Sequence, residues 1–478
     1  MRLLDDLSPK NVFAYFEEFS GIPHGSGNTK IAADWLVEFA KTHSLEFHRD
    51  AFNNVIIIRE ASNGYETIAP VILQGHIDMV CEKESFSDID FITDGISLEL
   101  SRDFISAKGT TLGADNGIAV AMMLAVLSDV TLALPRIEAI FSSDEEIGMI
   151  GASNIDVSPI KGKRMINIDG DKEGEFITGC AGGNVSVCKL PISRQEYQSD
   201  CYRICVKGLK GGHSGIEIDS GRANSNIILA RFLKEFSKQA EFRLISFDGG
   251  LKDNAIPVFS VAKISTSEYK LLRCMSREFV DSIKSEYSSI DSDIEIEISM
   301  CQYDTPMDSK SGKDVIDFVL LAPNGVVDMS KSIPGLVETS LNLGILKTDE
   351  NNVCFSYCVR SSINAKKVML CDRLEILCSR FGAEFFIEGD YPAWEFSEDS
   401  ALVKVFSDSY LEVNGINPNI ITIHAGVECG VFSAKIPGLD CISIGPDLYD
   451  IHTPQERMSI DSVKRTWDLL IKVLTNIK

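Results

Sequence analysis

A histidine and an aspartate two residues apart, His76 and Asp78, are the first residues along the chain that could take part in metal chemistry. They follow the apolar run 71–73, which predicts a buried strand. Side chains two apart on an extended segment project to the same side, so Asp78 could fix one ring nitrogen of His76 and leave the other for a metal. The pattern H-x-D is weak by itself, and a hydrogen-bonded structural histidine is the alternative interpretation.

Four further carboxylates and one histidine complete a candidate ligand cluster. Three carboxylates follow apolar runs, the fourth lies in the glycine-rich turn 109–117, and the histidine precedes the last helix. They are, in that order, Glu145, Glu146 and Asp169, then Asp115, and then His452. Carboxylates crowded at one edge of a sheet repel unless they are protonated or neutralised by cations. The set of nitrogen and oxygen donors suits zinc, cobalt or manganese; a helix cap at Asp115 and a solvated acidic loop at Glu145 and Glu146 are the alternatives.

The elements that would position these residues are typical of an α/β fold. Short apolar runs at 55–58, 71–73, 137–141 and 165–168 predict buried strands, and 116–128 predicts a buried helix, so the first part should contain a largely parallel sheet. From about residue 184 the strands alternate more openly, as in 293–298, which predicts α+β layers. After residue 389 the α/β pattern returns. We therefore expect one discontinuous domain, 1–183 and 390–478, interrupted by an insertion at 184–389.

Composition excludes several classes of function. The chain has 478 residues, of which 44% are hydrophobic, and a net charge of −24, so it would repel the phosphates of a nucleic acid. Its 13 cysteines contain no C-x-x-C pair, which argues against a zinc ribbon and fits a reducing compartment. No apolar run reaches the ~18 residues of a membrane span, and the first residues do not resemble a signal peptide. We expect a cytoplasmic protein without a membrane or nucleic-acid partner.

The order of these motifs resembles that of the co-catalytic zinc peptidases of the aminoacylase and carboxypeptidase G2 type. Within that clan, longer strings are similar to the bacterial aminoacyl-histidine dipeptidases, also called Xaa-His dipeptidases or peptidase D. The strings are LQGHIDMV, GTTLGADNGIA, DEEIGMIGA, GEFITGCAGG, GLKGGHSG, NAIP, VETSLNLG, YPAW and IHAGVECG. The resemblance extends over nearly the whole chain.

The resemblance implies a dipeptidase with two divalent ions, zinc or alternatively cobalt or manganese. His76 and Asp169 would bind one ion, and Glu146 and His452 would bind the other. Asp115 would bridge the two ions. Asp78 would orient His76, and Glu145 would be the general base that deprotonates a metal-bridged water. The α/β domain would be catalytic, and the insertion would be a lid or dimerisation domain that could form a homodimer.

The resemblance also implies substrate contacts within the insertion and near it. His213 would reach the scissile carbonyl oxygen, from the same chain or across a dimer, and Arg360 would hold the carboxylate of the dipeptide. Asn254 and His424 are further candidates for substrate binding, and a packed position is the alternative for His424. The family usually has basic residues on either side of the NAIP string, where this chain has Asp253 and Val258. Other open functions are hydrolysis of N-acyl amino acids and a catalytically silent, metal-binding interaction protein.

Overall fold

The computed structural model describes residues 2–477, which form two compact units. The first unit contains the residues up to Cys180, together with Phe396–Thr422 and the residues from Val427 onward. The second unit contains Ala181–Glu395 and the short segment Ile423–Gly426. His424 therefore belongs to the second unit, although it lies far along the chain from the rest of that unit.

The elements of the first unit begin with alternating helices and strands. The helices are α1 (Lys10–Ser20), α2 (Lys30–Thr42), α3 (Ala114–Ser128) and α4 (Ile150–Asn154). The strands are β1 (Glu46–Arg49), β2 (Val55–Arg59), β3 (Val71–His76), β4 (Leu98–Leu100), β5 (Phe104–Ala107), β6 (Ile137–Ser142), β7 (Arg164–Asn167) and β8 (Glu175–Cys180).

The second unit is richer in long strands. Its helices are α5 (Ser225–Ser237), α6 (Tyr269–Glu286), α7 (Ser309–Leu321) and α8 (Asn364–Phe381), with a short 3-10 turn at Ile218–Ser220. Its strands are β9 (Gly182–Pro191), β10 (Cys201–Lys207), β11 (Gly212–His213), β12 (Arg243–Gly249), β13 (Ala255–Ile256), β14 (Ser260–Ser265), β15 (Glu295–Met300), β16 (Gly325–Met329), β17 (Val337–Thr348), β18 (Asn352–Ser361) and β19 (Glu384–Tyr391).

The remaining elements return to the first unit. The helices are α9 (Ala401–Asn414), α10 (Glu428–Lys435) and α11 (Ile460–Asn476). The strands are β20 (Asn419–Ile423), β21 (Asp440–Ser443), β22 (Leu448–Tyr449) and β23 (Arg457–Ser459).

The central sheet of the first unit has eight strands in the order β1-β2-β6-β3-β7-β21-β8-β20. Its middle strands β6, β3, β7 and β21 are parallel to one another, while β2 pairs antiparallel with β1 and β6, and β8 pairs antiparallel with β21. Strands β2, β3 and β6 are buried along their whole length, as expected of strands covered on both faces. This arrangement confirms the predicted mixed α/β fold with its parallel centre. It also brings the carboxyl ends of β6, β3 and β7 to one edge.

The helix α3 lies in the core of this unit. Its residues from Gly117 to Leu127 are all buried, and it packs on α1 and β3. A helix that is apolar on every side must be covered on every side, which is why this apolar run predicts a buried helix. The ends of α3 and β3 are thereby held close to each other.

The second unit contains a largely antiparallel sheet of nine strands, in the order β15-β10-β14-β12-β17-β18-β9-β19 with β16 paired to β17. Helices α5, α6, α7 and α8 contribute apolar side chains to the core that covers this sheet. The short strands β11 and β13 form a separate ribbon in which His213 is opposite Ala255. No helix within residues 2–477 has both the length and the apolar character that a membrane span requires.

Candidate metal centre

His76 is the last residue of β3, and its ring is oriented by Asp78. Nδ1 of His76 lies 3.1 Å from the carbonyl oxygen of Asp78 and 3.4 Å from its Oδ1, so it donates its hydrogen to that residue. Nε2 points the other way and lies 3.1 Å from Oδ1 of Asp115 and 3.5 Å from Oδ1 of Asp169. The nitrogen that faces the carboxylates is therefore the one left free for a metal.

Asp78 also fixes the loop that follows β6. Its carboxylate accepts hydrogen bonds from the backbone N–H groups of Glu145 (3.0 Å) and Glu146 (3.3 Å), and from the hydroxyl of Ser26 (2.8 Å). Asp78 is fully buried, so these contacts replace its lost hydration. One aspartate thus sets the positions of both the histidine and the pair of glutamates.

Asp115 lies between the two histidines. Its Oδ1 faces Nε2 of His76, and its Oδ2 lies 3.2 Å from Nε2 of His452. The turn before it needs Gly113, whose φ of 69° is left-handed and whose Cβ would approach Sδ of Met79 to 2.7 Å. A carboxylate with one oxygen toward each histidine has the arrangement that a bridging ligand requires.

The two glutamates after β6 have different surroundings. Oε1 of Glu146 lies 2.9 Å from Nε2 of His452. The carboxylate of Glu145 makes no hydrogen bond to another residue in the range 2–477. Asp144 holds the turn with a φ of 52° and accepts the N–H of Gly27 at 2.7 Å. The loop therefore offers one glutamate engaged with the cluster and one whose oxygens are free.

Asp169 and His452 complete the cluster from two other segments. Asp169 follows β7 and accepts a hydrogen bond from the side-chain amide of Asn116. His452 lies in the loop between β22 and β23, where both it and Asp450 have a positive φ. The sequence analysis did not identify Asn116, although it directly follows Asp115.

The electrostatics of the cluster are those of a site with too much negative charge. Burial lowers the pKa of His76, but Asp169, Asp115 and Asp78 outweigh burial and raise this pKa well above its usual value. Hydrogen bonds to Asp115 and Glu146 raise the pKa of His452 to about 10.

Two of the carboxylates also have pKa values shifted by burial and by the crowded negative charge. Burial raises the pKa of Glu145 well above its usual value, and the charges of Asp169 and Glu146 add to this against the opposing effect of His76. Burial also raises the pKa of Asp169. Bound cations would therefore stabilise this cluster of carboxylates and histidines.

The donors present fit divalent cations. One atom each from His76, Asp115 and Glu146 all lie within 4.8 Å of one another. Asp169 and His452 adjoin this group through the contacts given above. Imidazole nitrogen together with carboxylate oxygen suits zinc, cobalt or manganese. The seven residues predicted for the metal chemistry therefore lie together. They are His76, Asp78, Asp115, Glu145, Glu146, Asp169 and His452.

Two buried glutamates that the sequence analysis missed support this region. Glu456 accepts backbone N–H groups beside Asp115. Glu428 accepts hydrogen bonds from Gln74 (2.5 Å) and Ser142 (2.7 Å) beneath the ends of β3 and β6. Glu428 lies within the motif IHAGVECG, so the motif pointed to this segment of the chain. The partners of Glu428 could not be predicted, because they are distant in the sequence.

In the second unit, His213 is held in one tautomer by its own loop. Its Nδ1 accepts the backbone N–H groups of Gly215 and Ile216, both at 3.2 Å. Since Nδ1 is an acceptor, the ring proton is on Nε2. Burial, and then the charge of Arg360, lower the pKa of His213, which keeps the ring neutral. The geometry makes His213 a neutral hydrogen-bond donor.

Arg360 and His424 are two further polar residues of the second unit that the resemblance implicated in substrate binding, and both are buried. Arg360 is 7% exposed, makes no ion pair with a carboxylate of the described residues, and donates to the hydroxyl of Tyr391 at 3.0 Å. Nε2 of His424 lies 2.7 Å from the hydroxyl of Ser340. Burial and the charge of Arg360 lower the pKa of His424 to about 3. A buried guanidinium without a counter-ion favours an anionic ligand.

Asn254 lies beside His213 through the backbone. Its carbonyl oxygen accepts the N–H of Ser214 at 2.8 Å, and its side chain is exposed. Burial lowers the pKa of Arg360, but Tyr391 and Cys358, and to a smaller extent Asp253, outweigh burial and raise this pKa above its usual value. Val258 is 43% exposed and offers no charge. The acidic residue thus stands near Arg360 where the resemblance led us to expect a basic one.

The comparison with protein families matches the chain over residues 72–476 to Peptidase family M20/M25/M40. A cytosol non-specific dipeptidase from Escherichia coli (strain K12) is 34% identical over 482 residues, which cover 100% of this chain and 99% of that protein.

Two solved structures show how far the likeness extends. An aminoacylhistidine dipeptidase from Vibrio alginolyticus matches with a TM-score of 0.89 and 35% identity over 99% of this chain and 98% of that one. An aminopeptidase from Bacillus cereus matches with a TM-score of 0.57 and 15% identity over 98% of this chain and 99% of that one, a likeness of fold alone.

Proposed function

Since the chain belongs to Peptidase family M20/M25/M40, we propose that it is a metal-dependent dipeptidase that acts on Xaa-His dipeptides or on a broader set of dipeptides. This membership confirms the family resemblance and the enzyme class, a peptide hydrolase, that were predicted from the motifs. The dipeptide substrate is supported by the Escherichia coli and Vibrio alginolyticus relatives, a non-specific dipeptidase and an aminoacylhistidine dipeptidase, which share about a third of their residues with this chain over nearly its whole length.

The observation that carries the proposal is the position of Asp115 between His76 and His452. One oxygen faces each histidine, at 3.1 Å and 3.2 Å, and no other carboxylate of the cluster has contacts to both rings. Asp115 would bind both ions, His76 and Asp169 the first, and Glu146 and His452 the second. When bound, two divalent ions supply Lewis acidity, which polarises a peptide carbonyl and lowers the pKa of water.

Glu145 is the residue we propose as general base. Its carboxylate has no hydrogen-bond partner in the described chain, while its backbone is fixed by Asp78. It can therefore accept a proton from the attacking water and deliver it to the leaving amine without first breaking a contact. Glu146, its neighbour, has its carboxylate engaged with His452 and fits the role of a ligand.

The second unit supplies the proposed substrate contacts. The neutral His213 would donate its Nε2 hydrogen to the carbonyl oxygen as negative charge develops there. Arg360 would bind the carboxylate of the dipeptide, since it is buried, charged and makes no ion pair with a described carboxylate. Asn254 and His424 would contact the substrate near them. A homodimer through the second unit, with His213 acting in the same chain or across the dimer, is part of this proposal.

The test is hydrolysis by chelated and metal-reloaded protein, with metal content measured in each sample. We expect release of amino acids from a dipeptide after addition of Zn²⁺, Co²⁺ or Mn²⁺, and none after chelation. A dipeptide amide should be a poor substrate because it lacks the carboxylate for Arg360. Full activity in a verified metal-free sample would contradict the proposal.

The same assay separates the other candidate functions. Preferred hydrolysis of N-acetyl amino acids would identify an amidohydrolase, and metal binding without any hydrolysis would identify a silent binding protein. We propose a cytoplasmic location, since the Escherichia coli relative is a cytosol dipeptidase. Cell fractionation with an antibody against the chain would test the location.

A further inference from the structure

Glu456 accepts hydrogen bonds from four consecutive backbone N–H groups around the start of α3. The side chain is 2% exposed and makes no ion pair with a described lysine, arginine or histidine. Its Oε2 accepts from two of the N–H groups and its Oε1 from the next two. They belong to Leu112 (2.7 Å), Gly113 (3.0 Å), Ala114 (2.9 Å) and Asp115 (3.4 Å).

These N–H groups precede the regular turns of α3, since Leu112 and Gly113 lie before the helix and Asp115 has non-helical backbone angles. Like the free donors at the start of any helix, they need an acceptor from outside it. A carboxylate is the side chain that best satisfies them, since it has two acceptor oxygens, no hydrogen to donate, and a charge that the helix N-terminus favours. Glu456 therefore fixes the backbone that carries Asp115.

The same residue also fixes the loop that carries His452. Glu456 lies four residues after His452, and its own N–H donates to the carbonyl oxygen of Thr453 at 3.1 Å. The hydroxyl of Thr453 donates in turn to the carbonyl oxygen of Asp450 at 2.7 Å. The loop is thus joined to the turn at Asp115 twice, by Glu456 through the backbone and by His452 through its ring.

We infer that Glu456 is a positioning residue that holds Asp115 and His452 at the separation the metal centre needs. This inference rests on the proposed metal centre. It assigns to Glu456 no contact with substrate or metal. It keeps two side chains from different segments in place before any cation binds. The free energy of metal binding is then not reduced by the entropic cost of ordering a loop.

The variant Glu456→Gln tests the inference because it keeps the shape and removes one acceptor. An amide presents an NH₂ group to two backbone N–H groups, so two hydrogen bonds are lost and donors face donors. We expect the apoprotein to bind Zn²⁺ about 10–100-fold more weakly, as for other losses of partners around metal ligands. The affinity is measured by competition with a chromogenic chelator, and dipeptide hydrolysis should then need correspondingly more added Zn²⁺ for full rate.

Glu138 offers a matched control in the same unit. It is fully buried, lies on β6, and accepts the N–H groups of Lys161 and Gly162, each at 2.9 Å, as well as the side chain of Arg136. Glu138→Gln removes the same kind of acceptor far from the metal residues. It should lower the melting temperature but leave the affinity for Zn²⁺ and the Zn²⁺ requirement of hydrolysis as in the wild type.

A folded Glu456→Gln with wild-type affinity for Zn²⁺ would overturn the inference, and so would an equal loss of affinity in Glu138→Gln. If Glu456→Gln does not fold, Glu456→Asp replaces it, since one methylene less withdraws both oxygens from the N–H groups and should also weaken Zn²⁺ binding. Wild-type affinity in folded Glu456→Asp would then overturn the inference. Failure of the wild type itself to bind Zn²⁺ would instead refute the proposed metal centre.

Discussion

Binding of metal to the first unit should release protons, because both histidines of the centre are protonated when no cation neutralises the carboxylates. Hydrogen bonds to Asp115 and Glu146 raise the pKa of His452 to about 10. Burial lowers the pKa of His76, but Asp169 and the other aspartates around it outweigh burial and raise this pKa well above its usual value. A metal ion binds the neutral imidazole, so each histidine must lose its proton as the ions bind.

From the two histidines, the expected magnitude is about two protons released for each pair of ions bound at about pH 7. Carboxylates of the cluster whose pKa is raised by burial add to this number. The sign follows from competition: protons and metal ions occupy the same nitrogens, so metal affinity rises as the pH rises. With two protons released, the product of the two association constants should increase about 100-fold for each pH unit between about pH 6 and 8. Calorimetric titration of the apoprotein in buffers of different ionisation enthalpy gives the number of protons directly.

A matched pair of variants makes the measurement specific. His452 and His48 both have side chains that are 45% exposed and lie close to a glutamate, but His48 is on β1, away from the metal residues. His452→Ala should release about one proton fewer than the wild type, and His48→Ala should release the same number. Proton release near zero in the wild type, or unchanged release in His452→Ala, would refute the reasoning.

The remaining predictions concern catalysis. Glu145→Ala should keep its metal and lose about 10²–10⁴-fold in kcat, as for an acid–base group, whereas Glu146→Ala should lose metal first because its carboxylate contacts His452. Metal analysis and kinetics distinguish the two, and two active variants with full metal would show that the assignment is wrong. His213→Ala should lower kcat about 10²–10³-fold with little change in KM and unchanged metal content; wild-type kcat would remove His213 from the mechanism.

The positions of His76, the two glutamates and Asp169 could be predicted from the sequence because one rule places them. Each follows a short apolar run, and the runs form the adjacent strands β6, β3 and β7. Parallel neighbours end at the same edge of a sheet, so residues after these runs must meet. The antiparallel pairing of β2 with β6 could not be predicted, because a strand buried on both faces is equally apolar in either direction.

Asp115 and His452 could be named as candidate ligands from their residue types, but only the resemblance assigned their roles, since neither follows a strand of the sheet. His452 itself has a positive φ, and Gly113, two residues before Asp115, has one too, a local feature that does not specify which distant residue a turn will meet. Glu456 left no signal, because its partners are backbone N–H groups, which every residue except proline has. Side chains that bind the main chain are therefore the part of a site that residue types reveal least.

The two histidines of the metal centre and the two histidines of the second unit have pKa values shifted in opposite directions. In the first unit the surrounding carboxylates raise the pKa of His76 and His452, so these rings give up a proton only when a cation replaces it. In the second unit burial and the charge of Arg360 lower the pKa of His213 and His424, so both rings stay neutral. A loss of activity on mild acidification should consequently come with loss of metal. The two backbone N–H groups that donate to Nδ1 of His213 also favour its neutral form, in which Nε2 carries the hydrogen.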